Sequence, residues 1–250
     1  MAGMSGLANI GSLGLYSSTA SPGAGLTIGQ LVWDGKTGKA FRYVLNGAAN
    51  LVAGNLLCAS VQDTTYENMT IGTAAAAGDM YLQVTNGTAT ITDAQFRGGT
   101  INVYTAGTIA LGDEYTITAV TGTLTTGGAL KVWLDKPVRA AVTTAAKVNM
   151  KQSPWSGVIQ APATTMTEMP VGVAIYPITA SQYGWVQTHG VCSMLVDATG
   201  TATVGSDIGY PSTTAGSGTV YAAGTGKCRV GYLRQAGVAS HCVTAFLQID

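Results

Sequence analysis

The chain has 250 residues, with 12 basic and 12 acidic side chains, and its charged residues reach 10%, against roughly 25% in ordinary soluble domains. That balance offers no electrostatic footing for a polyanion partner or a membrane surface. A chain this long can bury a large core without disulfide staples.

Gly (34 residues), Ala, Thr and Ser stand where charges would be. Such a surface is poorly protected against association. It fits either a Thr- and Ser-coated β-protein or a surface covered by neighbouring subunits. Cys58, Cys192, Cys228 and Cys242 form no CxxC pair and read as free thiols of a chain folded in a reducing cytoplasm. The opening MAGMSGLANIGSLGLY lacks the basic n-region of a secretory signal. No apolar run approaches the roughly 20 residues of a membrane helix.

Residues 1–25 are Gly, Ala and Ser with scattered Leu7, Ile10, Leu13, Leu15 and Tyr16, closed by Pro22-Gly23. They read as an extended N-terminal arm, too apolar for a well-solvated tail and therefore suited to docking. Residues 26–250 read as a β-rich domain. From Leu26 a short pattern recurs: an apolar residue, any residue, an apolar residue or Ala, Gly, a small polar residue, any residue, then an apolar one. Its copies centre on Gly29-Gln30, Gly54-Asn55, Gly78-Asp79, Gly112-Asp113 and Gly205-Ser206. Gly accepts positive φ and the polar side chain bonds nearby backbone, so each copy predicts a turn at the entrance to a strand. The spacings are too irregular for a solenoid.

Period-two alternation predicts strands over 41–45, 81–85, 101–104, 115–120, 130–134 and 138–142. Strands 60–105 read as a small inserted β lobe, and 152–169, with Pro154 and Pro162, as a long connection. Pro170 to Val196 predicts a three-strand meander broken at Pro177 and Gly190, with Trp185 as its largest buried residue. At the end, 228–234 predicts a partner strand for 243–249. No stretch holds a 3.6 period long enough for a helix. The fold class is therefore all-β: a jelly-roll, sandwich- or barrel-like antiparallel domain with an extended arm.

Catalytic chemistry is thinly represented. His189, Cys192, Cys228, His241 and Cys242 carry zinc-ligating groups. Adjacent His241 and Cys242 would face opposite sides of a strand, so no metal site is assigned. No G-x-S-x-G elbow and no phosphate-binding loop occur. Asp135, Lys136 and Arg139 form the densest charge cluster. It reads as an exposed turn before an edge strand or as a salt-bridged contact to another subunit. Trp33, Trp133, Trp155 and Trp185 read as core and interface anchors. No cofactor and no enzymatic activity are expected.

Several segments resemble a family of tailed-bacteriophage head proteins. Phe41-Arg-Tyr-Val-Leu-Asn-Gly47 and Leu51-Val-Ala-Gly-Asn55 are similar to its opening, and Leu130-Lys-Val-Trp-Leu-Asp-Lys-Pro-Val138 to its middle. Pro170-Val-Gly-Val-Ala174, Gln182-Tyr-Gly-Trp-Val-Gln-Thr188, Val230-Gly-Tyr-Leu233 and Phe246-Leu-Gln-Ile249 resemble its C-terminal section. The order of these short motifs carries the resemblance, over roughly residues 26–250. It implies a capsid cement, or decoration, protein on the outer head surface, made in the host cytoplasm. It further implies the major capsid protein as partner, itself as homotrimer, and no nucleic acid, membrane or catalytic residue. The interface candidates are Leu7, Ile10, Leu13, Leu15, Tyr16, Asp135, Lys136 and Arg139. A tail or fibre protein binding a host glycan is the runner-up, and an enzyme on a β-scaffold the third reading.

Overall fold

The computed structural model describes residues 14–87, 90–104, 110–123, 125, 127–163, 165–197, 202–211, 213–221, 228–238 and 240–250. Strands dominate it, and its one α-helical turn is α1 (Asp93–Phe96). The all-β expectation holds. The chain divides into two compact units, one of residues 1–60 with 154–250, the other of 61–153.

The first unit contains β1 (Leu31–Asp34), β2 (Lys39–Asn46) and β3 (Leu56–Cys58). The second contains β4 (Met69–Thr73), β5 (Tyr81–Thr85), β6 (Thr100–Val103), β7 (Glu114–Gly122), β8 (Ala129–Leu134) and β9 (Lys147–Lys151). The first then resumes with β10 (Ser156–Gln160), β11 (Pro170–Ala174), β12 (Tyr183–Val196), β13 (Asp207–Gly209), β14 (Thr219–Val220), β15 (Arg229–Leu233) and β16 (His241–Gln248).

All five copies of the recurring glycine pattern form the turn expected of them. Gly29, Gly54, Gly78, Gly112 and Gly205 have φ between 82° and 98°. In each, the N–H after the glycine donates to the carbonyl three residues back, as from Gln30 to Thr27 and from Asp113 to Ala110. Glycine third in a four-residue turn with positive φ is the type II arrangement. The five turns lead into β1, β3, β5, β7 and β13. A further turn of this kind, Thr179 to Gln182, carries Ser181 at φ 57° and leads into β12. The serine hid it from a pattern keyed on glycine.

In the second unit all six strands pair antiparallel and close in the order β4-β5-β8-β7-β6-β9, with β9 back on β4. Period-two patterning explains it. Leu130, Val132 and Leu134 point inward while Ala129, Lys131 and Trp133 point out. Closure leaves no free sheet edge. Among the described residues its core, including Phe96, Tyr115, Leu82 and Val132, draws on this unit alone. The insertion is thus larger than the 60–105 lobe read from the sequence, because β7, β8 and β9 are needed to close the barrel. The 138–142 stretch is not a strand; its Val142 makes only a bridge to Ala75.

In the first unit, β2, β10, β3, β11 and β12 pair in succession, and β12 returns to β2, so the pairings form a ring. The β2–β10 pair is parallel and the others antiparallel. Val44, Leu57, Val158, Val171 and Val186 pack together in one cluster of this unit. The segment read as a long connection therefore supplies β10, whose Gly157 at φ 71° and offset register broke the alternation.

The expected meander is two strands, not three, because β12 runs through Gly190 without a turn. It pairs with β2 up to His189 and with β16 from His189 onward, as the expected β15–β16 pair continues the sheet. The register shifts between Gln187 and His189. Gly190 sits beside that irregularity at φ 87°, and a Cβ there would lie 2.6 Å from the Gly38 carbonyl oxygen. Glycine here lets two backbones approach rather than ending a strand.

Candidate functional site

Leu7, Ile10 and Leu13 lie outside the described residues. Leu15, expected at an interface, is instead buried within its own unit, at 6% exposure. It packs with Val32, Phe41, Tyr43 and Trp185. The segment after it is tied down by a bridge from Thr19 to Tyr183 and by Ser18, whose Oγ donates to Gln182 and accepts from Thr179 N. This part of the arm covers its own sheet, because Trp185 on β12 needs an apolar lid and Leu15 supplies it. Tyr16 alone of the described arm candidates presents itself to solvent, at 69% exposure.

The charge cluster is engaged within the chain. Arg139 Nε donates to Asp113 Oδ1 at 2.8 Å, and Tyr115 Oη donates to Asp113 Oδ2 at 3.1 Å. Arg139 N donates back to Tyr115 Oη, and Lys136 Nζ lies 5.5 Å from the Tyr115 ring centre. Asp135 Oδ1 accepts from Thr116 N. Burial pushes the Tyr115 phenol up from its ordinary value, and the Asp113 charge adds to this. These bonds tie residues 135–139 to β7, so the cluster staples the barrel; the sequence could not name Asp113 as its partner.

The metal-like residues do not converge. Among the described residues no group of three or more His, Cys, Asp or Glu side chains is placed to hold an ion. Cys58 and Cys192 are buried, Cys228 is half-buried and Cys242 is exposed. Desolvation raises the Cys192 thiol to about 12, with Lys39 opposing and Cys242 adding to the shift. It is therefore a protonated, unreactive thiol at neutral pH.

What the fold brings together instead is a row of rings across β1, β12, β16 and β15. Trp33 lies 5.2 Å from His189, His189 lies 5.3 Å from Phe246 in an edge-on contact, and Phe246 stacks on Tyr232 at 5.2 Å. Small Ala40 stands opposite both Trp33 and His189, which lets the two rings meet above it. Beside the row, Arg42 holds Asp250 in a two-pronged pair at 2.8 and 3.0 Å, and its guanidinium sits 4.6 Å from the Trp155 ring centre. Burial pushes the Asp250 carboxyl up. The Arg42 hydrogen bonds, with the Arg42 and His189 charges, outweigh that and hold it below the usual carboxylate value. His189 Nδ1 lies 3.1 Å from the Asp250 carbonyl oxygen.

Strand alternation put Phe246 and Gln248 on one face from the sequence. Nothing local could add Trp33 or Tyr232, because cross-strand neighbours are set by register. Among the described residues no helix is long and apolar enough to cross a membrane. The chain matches no protein-family model, no curated protein and no solved structure.

Proposed function

We propose that this chain is a structural virion protein, a capsid cement or decoration protein that binds the outer surface of a phage head and bridges its subunits. Its partners in this reading are the major capsid protein and further copies of itself, and its role is mechanical rather than enzymatic. The observation that carries the reading is the surface. A chain with 10% charged residues exposes Tyr16, Leu31, Trp33, Val52, Trp133, Met169 and Tyr176. Apolar and aromatic groups with few ions to desolvate suit protein–protein contact. The ordered motifs described above agree with this direction. A clamp that binds only assembled shell stabilises it by mass action. Several weak contacts made by linked copies suffice through avidity.

The test is co-sedimentation of purified protein with undecorated heads, alongside heat-induced genome release. Saturable binding that delays release is the expected result. Protein that stays in the supernatant at every ratio would sink the reading. The aromatic row is the one observation that favours the runner-up, a glycan-binding tail or fibre protein, because ring faces beside polar groups suit sugars. Binding to a panel of immobilised glycans, abolished by Phe246→Ala, would transfer the assignment to it.

A further inference from the structure

We infer that β1 is a docking edge for a second copy of this chain, paired about a two-fold axis that passes Val32. The inference does not rest on the capsid reading. Among the described residues β1 pairs only with β2, and none of them pairs with its other edge. Tyr43 N donates to the Gln30 carbonyl and Gly38 N to that of Asp34. Bonded pairs alternate along an antiparallel ladder. Val32 and Asp34 therefore turn their backbone groups toward β2, and Leu31 and Trp33 turn theirs to the free edge.

Such an edge is ordinarily guarded by Lys, Pro or a bulge. Leu31-Val-Trp-Asp34 has neither Lys nor Pro. Its one charge, Asp34, folds back to accept from Lys36 N and the Thr37 hydroxyl at the hairpin tip. The side chains beside the edge are apolar and open, Leu31 at 47% and Trp33 at 48% exposure.

The occupant follows from self-complementarity. Two β1 strands run antiparallel about an axis at Val32 set Leu31 of each copy opposite Trp33 of the other. These are the residues whose N–H and C=O groups face outward, so each of the two pairs can exchange both bonds. Leu31 and Trp33 lie on one face of the strand, and each Leu would pack on the opposing indole. A two-fold contact brings identical patches together, so an unpaired charge would meet its like. Arg42, directly opposite Leu31 in register, is already neutralised by Asp250. Two four-residue strands bury less than the about 1,200–2,000 Å² of a standard stable interface. The pairing is therefore reversible and concentration-dependent. One edge serves one partner, so this contact gives two copies where the family resemblance implies three.

The experiment is sedimentation equilibrium over a concentration series up to about 1 mM, the weak end of specific association. It uses the full chain and the variants Leu31→Lys and Trp33→Lys, with circular dichroism to verify the fold. The expected result is a monomer–dimer equilibrium in the parent chain and a loss of dimer in both variants at unchanged spectra. Register is read by oxidative cross-linking in a Cys242→Ser background, which removes the exposed thiol. The double variant Leu31→Cys/Trp33→Cys should give a covalent dimer. Neither single Cys variant should, because like residues are then diagonal and beyond the roughly 7 Å reach of a disulfide. A chain that stays monomeric throughout overturns the inference. So does association untouched by the Lys substitutions, a three-copy species, or cross-linking by a single variant.

Discussion

Removing Trp185 tests the central packing claim most directly. Its side chain is 1% exposed, and its ring centre lies 5.1 Å from that of Tyr43, its directly opposed neighbour on β2. Leu15, Val32 and Phe41 complete the cluster. Trp185→Ala removes an indole that strand β2 cannot follow inward, since β2 is bonded to β1, β10 and β12. The cavity stays largely open, and the expected cost is about 3–5 kcal/mol. At about 2–4 °C per kcal/mol for a domain of this size, the melting midpoint should fall by about 10 °C or somewhat more. Chemical denaturation followed by far-UV circular dichroism gives the free energy, and calorimetry gives the midpoint. Leu15→Ala supplies the internal control. It should cost about 2–5 kcal/mol alone, and less than that in the Trp185→Ala background, because neighbours sharing a cavity are not additive. A loss below about 1 kcal/mol for Trp185→Ala, the size of an ordinary surface change, would refute the assignment of this residue to a lidded core.

Other outcomes follow from the same structure. The isolated fragment 61–153 should fold cooperatively, since its barrel closes on itself and its core uses only its own residues; a non-cooperative melt or random-coil spectrum would count against that. Deleting residues 1–25 removes the Leu15 lid and should lower the melting midpoint, whereas deleting residues 1–13 keeps that lid and should lower it less. Equal midpoints for the two truncations would show that the lid contributes nothing. Iodoacetamide at pH 8 should label exposed Cys242 first and leave Cys192 unlabelled until denaturant is added, because burial keeps that thiol protonated to about 12; peptide mass spectrometry decides it. The Arg42–Asp250 pair lowers the Asp250 folded-state value. Its stabilisation should therefore be present above the ordinary Asp value of about 3.9 and fade as pH falls through the lower folded value. In Arg42→Ala this part of the acid dependence should be missing.

Local chemistry alone determined the strands with clean alternation and the five glycine turns. Whether Leu130 points in or out follows from its neighbours on the same strand, and Gly29 takes positive φ because of its own missing Cβ. Short or bulged strands were not legible. β10 carries Gly157 at positive φ, and β12 carries an irregularity before Gly190 that looked like a chain break. Only the fold decided that residues 61–153 form one closed barrel, because closure is a pairing of β4 with β9 across nearly eighty residues of sequence. The same holds for function-bearing surfaces. Arg139 was legible as a surface charge, but its partner Asp113 was not. Leu15 and Leu31 are both leucines near the start of the chain. Tertiary structure buries the first against the sheet of its own unit and leaves the second on an open edge, because burial depends on what register and topology place opposite a side chain.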